Sequence, residues 1–234
     1  MWLIGVLLAM MAGPVVFESG EDRATLVELY TSEGCSSCPP AEESLAGLRR
    51  DPGLWSEVVP VAFHVNYWDD LGWPDRFASP AFAQRQRNYA ARWRAETIYT
   101  PAFVSNGREG LVVLPSAREG RLRATVDPSG RIAITFRAAG KVPGPLVAEI
   151  APLANDIAVD VRRGENAGRK LAHEFVALAL LSVPHEPHEP HEGEFTAAVD
   201  LPRKTPAPIS SVAVWVHAAG DPAPIQATGG WLPK

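Results

Sequence analysis

The chain has 234 residues, 46% of them hydrophobic, and a formal net charge of −5. That length fits one large domain or two small ones, and the acidic balance gives no reason to expect a nucleic-acid partner. Two cysteines in so long a chain exclude a disulfide scaffold and leave local chemistry or one local bridge.

Trp2–Phe17 (WLIGVLLAMMAGPVVF) is almost wholly apolar. It suits the core of a signal peptide, with the small residues Ala12 and Gly13 near a cleavage point, although no Lys or Arg precedes it. An uncleaved N-terminal anchor is the alternative, and residues 1–20 are assigned to one or the other. Membrane contact is expected only through that segment. Export would place the protein in the periplasm or outside the cell, where a cysteine pair can rest oxidised.

Leu26–Tyr30 is apolar enough for a buried strand, and Thr31–Gly34 is a polar turn. Cys35 and Cys38 follow as C-S-S-C, then Pro39-Pro40, then Ala41, Leu45 and Leu48 at helical spacing. A first-turn proline suits a helix start because the N–H it lacks had no intrahelical partner. A thiol held there is stabilised as thiolate by the helix dipole, while Glu42 and Glu43 oppose a very low thiol pKa. Cys35 is read as the attacking sulfur and Cys38 as the resolving one. A plain structural disulfide, or half of a zinc site, remains open; no second C-x-x-C or C-x-x-H is present to complete four ligands.

This stretch resembles the active-site segment of the thioredoxin superfamily. With FHVNYWDDLGWPDRFASPAFAQRQRNYA, YTPAFVSNG and GENAGRKLAHEFV, it is similar to a family of secreted bacterial proteins of no established activity. The resemblance implies a thioredoxin-like fold with a C-x-x-C active site. The chain departs from the family's pattern at Asn66, where Asp is expected, and at Ala102, where Gln is expected.

Val58–Val65 reads as a second buried strand parallel to Leu26–Tyr30, with the intervening helix as crossover. Asn66–Arg94 is rich in aromatics, and a helix is expected from Ser79 or Pro80 to Arg94, with Phe82, Gln86, Tyr89 and Trp93 on one face. Tyr67, Trp68, Trp73 and Phe77 either line a cleft beside Cys35 or pack this insertion onto the sheet. Asp69, Asp70 and Asp75 could form an acidic rim or simply be solvated. His64, at a strand end, is an accessory candidate for proton transfer, with a structural histidine as the alternative.

Thr100-Pro101, before a short strand Ala102–Ser105, resembles the cis-proline loop of thioredoxin-like proteins, which lies against the dithiol and pairs with an extended substrate; an ordinary trans-proline at a strand start is the alternative. Asn106-Gly107 signals a hairpin joining Ala102–Ser105 to Leu111–Leu114, and Pro115–Arg123 reads as a short helix. From Arg131 the hydrophobic period becomes two. Strands are expected at Arg131–Arg137, Leu146–Ile150, Ile157–Val161, around Leu171–Val183, at Phe195–Leu201 and at Val212–His217. In Pro184–Glu192 (PHEPHEPHE), an extended three-residue turn aligns His185, His188 and His191 along one edge. They are candidates for weak copper or zinc binding, or a stiff solvated loop.

The expected fold class is therefore α/β. A thioredoxin-like domain (24–127) with an aromatic-rich helical insertion would be followed by a C-terminal antiparallel β-sheet or sandwich (128–234). The expected function is thiol–disulfide oxidoreduction of an exported protein or small thiol through Cys35 and Cys38, with Thr100, Pro101, Trp68 and Trp73 binding the partner. No cofactor beyond the dithiol is expected. The alternatives are a copper-handling binding protein and a non-catalytic interaction module.

Overall fold

The computed structural model describes residues 13–112, 117–142, 144–184 and 194–233. The first half contributes β1 (Val15–Glu18), β2 (Thr25–Thr31), α1 (Pro39–Gly47), β3 (Val58–His64), α2 (Pro80–Trp93), β4 (Ala102–Ser105), β5 (Arg108–Glu109) and β6 (Gly120–Val126). Next come β7 (Arg131–Ala138), β8 (Leu146–Ala154), β9 (Ile157–Asp160), β10 (Lys170–His173) and β11 (Val176–Ala177). The chain finishes with β12 (Leu181–Pro184), β13 (Glu194–Asp200), β14 (Ser211–Ala218) and β15 (Pro224–Trp231).

The expected β2–α1–β3 unit is present, with β2 and β3 parallel from Thr25↔Val58 to Thr31↔His64. Its wider setting corrects the expected class. Strand accounts for 43% and helix for 15% of the described residues, which are therefore predominantly β and not an α/β thioredoxin fold. A nine-stranded mixed sheet runs β15-β14-β8-β11-β3-β2-β4-β5, with β12 also paired to β8. Strands from late in the sequence thus complete the sheet that carries the cysteine turn. Their alternating pattern shows that they are strands but not which strands they join.

A second sheet, β1-β6-β7-β13, packs on the β8–β14 end of the first. Phe17, Leu122, Ile134, Phe136 and Phe195 fill the space against Ile150 and Val214. β9 and β10 form a separate antiparallel pair. Several local expectations also change. Gly120–Val126 is a strand, not the end of a helix, and the hairpin partner of β4 is Arg108–Glu109. The stretch expected as one strand around Leu171–Val183 is split into β10, β11 and β12.

The helix α2 begins where Ser79 Oγ accepts the Ala81 N–H and Pro80 takes the first position, and of the four residues expected on one face it buries Phe82, Gln86 and Tyr89 and leaves Trp93 half-buried. It also buries Arg85, whose Nε and Nη2 reach Glu28 Oε2 and Oε1 at 2.7 and 3.1 Å. Tyr30 and Tyr89 hydroxyls lie 2.9 and 2.6 Å from the same carboxylate, and the guanidinium sits 4.9 Å from the Trp215 ring centroid. A buried pair this well satisfied is worth little against an apolar substitute, but breaking one side strands a charge. Arg85→Met is expected to lose about 3–5 kcal/mol of unfolding free energy in a urea titration, and adding Glu28→Gln to recover most of it.

Candidate functional site

The cysteine turn lies between the end of β2 and the start of α1. Cys35 and Cys38 form a disulfide. Cys38 is the N-cap of α1, its carbonyl accepting the Ala41 and Glu42 N–H groups, and Pro39 and Pro40 occupy the first helical positions. Cys35 keeps 4% of its surface exposed and Cys38 none, so both are buried. Ser36 and Ser37 between them are exposed.

Loops from distant sequence hold this turn. Asn166 Nδ2, between β9 and β10, donates to the carbonyls of Glu33 and Cys35 at 2.9 and 3.0 Å. Glu165 accepts from the Ser36 hydroxyl and N–H. Trp68 packs where a side chain on Gly34 would stand, 3.3 Å from that point, and its indole N–H donates to Thr100 Oγ1 at 2.7 Å. Thr100–Pro101 is a cis peptide bond, as expected, immediately before β4, whose Ala102 pairs with Tyr30. The turn, Trp68 and the Thr100–Pro101 segment therefore share one end of the sheet. Trp73 is tied to the same place by its indole N–H on Glu33 Oε2 at 2.6 Å. Trp68 and Tyr67 also pack against the main core, so this insertion is anchored to the sheet.

Beneath the turn is a cluster of buried ionisable side chains. His64, at the end of β3, places Nδ1 2.6 Å from Asp75 Oδ2. Asp75 is no surface rim: it is buried and also accepts the Glu33 and Phe77 N–H groups. His173, at the end of β10, is hydrogen-bonded through Nδ1 to Glu42 Oε2, and Thr31 Oγ1 donates to Glu42 Oε1 at 2.5 Å. Its Nε2 is 3.6 Å from Glu33 Oε1, close enough for charge attraction and too far for a hydrogen bond. The two imidazole centroids are 5.1 Å apart.

Burial lowers the His64 pKa, but the Asp75 carboxylate outweighs it and holds the imidazole above its usual value. Burial likewise opposes charge on His173, yet Glu33 and Glu42 raise it to about 10. For the acids the signs reverse: burial pushes Glu42 and Asp75 up, and their histidine partners bring both below the ordinary carboxylate value.

The sequence singles out Cys35, Cys38, Trp68, Trp73, Thr100, Pro101 and His64, and the structure gathers them at one end of the sheet. It adds Glu33, Asn166, Glu165 and His173, moves Asp75 from the expected rim to a buried place on His64, and gives Glu42 a partner. His173 had a readable signal, since in K-L-A-H it shares the inward register with Leu171. His185, His188 and His191 lie outside the described residues. Glu42, His64 and His173 could hold a metal ion, each offering a ligand atom within 4.8 Å of the others.

The model of a protein family of unknown function, DUF1223, matches residues 26–217. The chain belongs to the DUF1223 family. Membership bears out the expected family without established activity, but not the thioredoxin-like fold attached to it. Two solved structures resemble this DUF1223 chain. Protein AGR_C_4864 of Agrobacterium tumefaciens is 23% identical, with a TM-score of 0.62 over 88% of this chain and 94% of that one. HBP35 of Porphyromonas gingivalis is 15% identical, with a TM-score of 0.58 over 92% of this chain and 76% of that one. At these identities the likeness is one of fold. No curated protein matches the sequence.

The buried cluster gives this DUF1223 protein a pH signature. Stability from the raised histidines is full below their unfolded pKa of 6.5 and is lost as pH climbs, for His173 toward about 10. Stability from the lowered Glu42 and Asp75 is present above their unfolded values of 4.5 and 3.8 and is lost as pH falls below them. The metal-free chain is therefore expected to melt at the highest temperature between about pH 5 and 6.5. His173→Gln should flatten the alkaline decline. A melting temperature constant from pH 6.5 to 10 would contradict the assignment.

Proposed function

We propose that the protein is a thiol–disulfide oxidoreductase working through Cys35 and Cys38. One observation carries the reading: the pair closes a short loop across the start of α1, with the less buried cysteine residue first. As a staple this bridge is weak. Loop-closure entropy for about four residues is worth about 2 kcal/mol, against about 4.7 for a hundred-residue loop. Its chemical setting is more favourable. The N-terminal end of a nine-residue helix stabilises negative sulfur, so the leaving thiolate is a good one.

In the reductive direction, Cys35 thiolate attacks a partner disulfide. A Cys35–partner bond forms, the partner's S–S bond breaks, and its second sulfur leaves as thiolate. Cys38 thiolate then attacks Cys35 Sγ, restores the Cys35–Cys38 bond and releases the first partner sulfur. The partner gains two electrons and the protein loses two. The reverse sequence oxidises a partner dithiol. The backbone at Thr100–Pro101 and the ring of Trp68 are the surfaces next to the turn on which an exported protein or small thiol would be held, and Trp73 flanks them. The dithiol itself is the redox group. This chemistry suits an exported protein, where disulfides persist.

Equilibration with a glutathione series, read by thiol labelling, is expected to give a midpoint between about −120 and −270 mV. A midpoint below about −300 mV would make the bridge structural and sink the proposal. With Cys38→Ser, mixed disulfides through Cys35 should accumulate on incubation with a disulfide-bonded protein or oxidised glutathione. They should be absent from the Cys35→Ser, Cys38→Ser double variant.

A further inference from the structure

We propose that Glu42, His64 and His173 form a binding site for a divalent transition-metal ion of the zinc class, beneath the cysteine turn but independent of its sulfurs. The three side chains come from α1, β3 and β10, elements fixed by the sheet and the β9–β10 pair, and all are buried. Each brings a ligand atom within 4.8 Å of the other two. Tetrahedral zinc with ligand bonds near 2.0–2.2 Å sets donors about 3.3 Å apart, so the side chains need to draw in by an ångström or so.

A second observation separates this cluster from an ordinary charge network. His64 is fully buried, its Nδ1 is taken by Asp75, and its Nε2 has no hydrogen-bond partner among the described residues. A buried ring nitrogen without a partner is costly, and a metal ion satisfies it. Asp75 on the far nitrogen is the outer carboxylate that orients and strengthens a ligating histidine. His173 has the same arrangement on its other side, with Nδ1 toward Glu42 and Nε2 3.6 Å from Glu33 Oε1, neither of the last two atoms having a hydrogen bond among the described residues. Thr31 orients Glu42 through Oε1. An ion entering between Glu42 Oε2 and His173 Nδ1 replaces the proton they share, and His64 in its charged form gives up its Nε2 proton; both pass to solvent.

The donor set selects the ion. Two imidazoles and a carboxylate suit zinc and its neighbours, whereas magnesium and calcium prefer all-oxygen shells and copper(I) prefers thiolate. Three protein ligands leave a fourth position for water or a substrate atom.

The test uses the full chain with its disulfide intact and His185→Ala, His188→Ala and His191→Ala, so that the proline-spaced histidines cannot report. After chelator treatment, zinc is added, excess is removed and bound metal is counted. One zinc per chain is expected, with an X-ray absorption spectrum showing two imidazoles and oxygen near 2.0 Å and no sulfur near 2.3 Å. Asp75→Asn should weaken binding about 10- to 100-fold. His64→Gln, checked for folding by circular dichroism, should remove stoichiometric binding. No retained zinc, a sulfur shell, or undiminished binding in a folded His64→Gln protein would each overturn the site. The spectrum of the unmutated cluster decides the matter even if His64→Gln does not fold. Because the disulfide is closed throughout, the outcome is separate from that of the redox experiment.

Discussion

The constraint on which this molecule depends is the concealment of carboxylates and imidazoles under the cysteine turn. Glu33, Glu42, Asp75, His64 and His173 are all nearly inaccessible to water. An isolated charge at such a depth is strongly unfavourable, so each must meet a partner of opposite sign or a donor. Those partners come from β3, α1, β10 and the segment after the 3-10 turn at Asn66–Leu71. Placing four pieces of chain around one set of charges fixes where the cysteine turn sits. Aliphatic packing alone is non-directional and would fix the same pieces less sharply.

A second buried charge pairs Glu28 on β2 with Arg85 on α2. It holds α2 against the sheet through a forked pair and two tyrosine hydroxyls, and Arg85 continues over Trp215 on β14. One guanidinium thus connects an early strand, a middle helix and a late strand. The two charge clusters and the aromatic core between them, including Phe63 and Phe82, explain how a mixed sheet assembled from distant sequence keeps one arrangement.

Local order was legible and long-range order was not. β2, α1 and β3 follow from an apolar run, a turn, a proline pair and another apolar run, and α2 follows from Ser79-Pro80 and its spaced aromatics. The placement of β8, β11 and β14 in the same sheet has no local signature, because alternation reports which residues face inward and not which strand lies alongside. β15 was missed for a different reason. The expected strands stop at His217, and Gly229 and Gly230 dilute the strand pattern beyond it, yet a side chain at either would collide with Trp55 or Phe17. There glycine serves close approach, not chain reversal. In the site, the cysteines announce themselves by spacing and His64 by its strand end. Asp75 follows an aperiodic loop, and Glu42 looks like an ordinary first-turn acid until His173 is beside it.

The hold of Asn166 and Glu165 on Glu33, Cys35 and Ser36 has a consequence for relatives of this chain. The surroundings of the disulfide are built by residues some 130 positions away, on a hairpin that the cysteine motif does not encode. Two proteins with the same C-S-S-C and different β9–β10 connections therefore present the same sulfurs through different doorways.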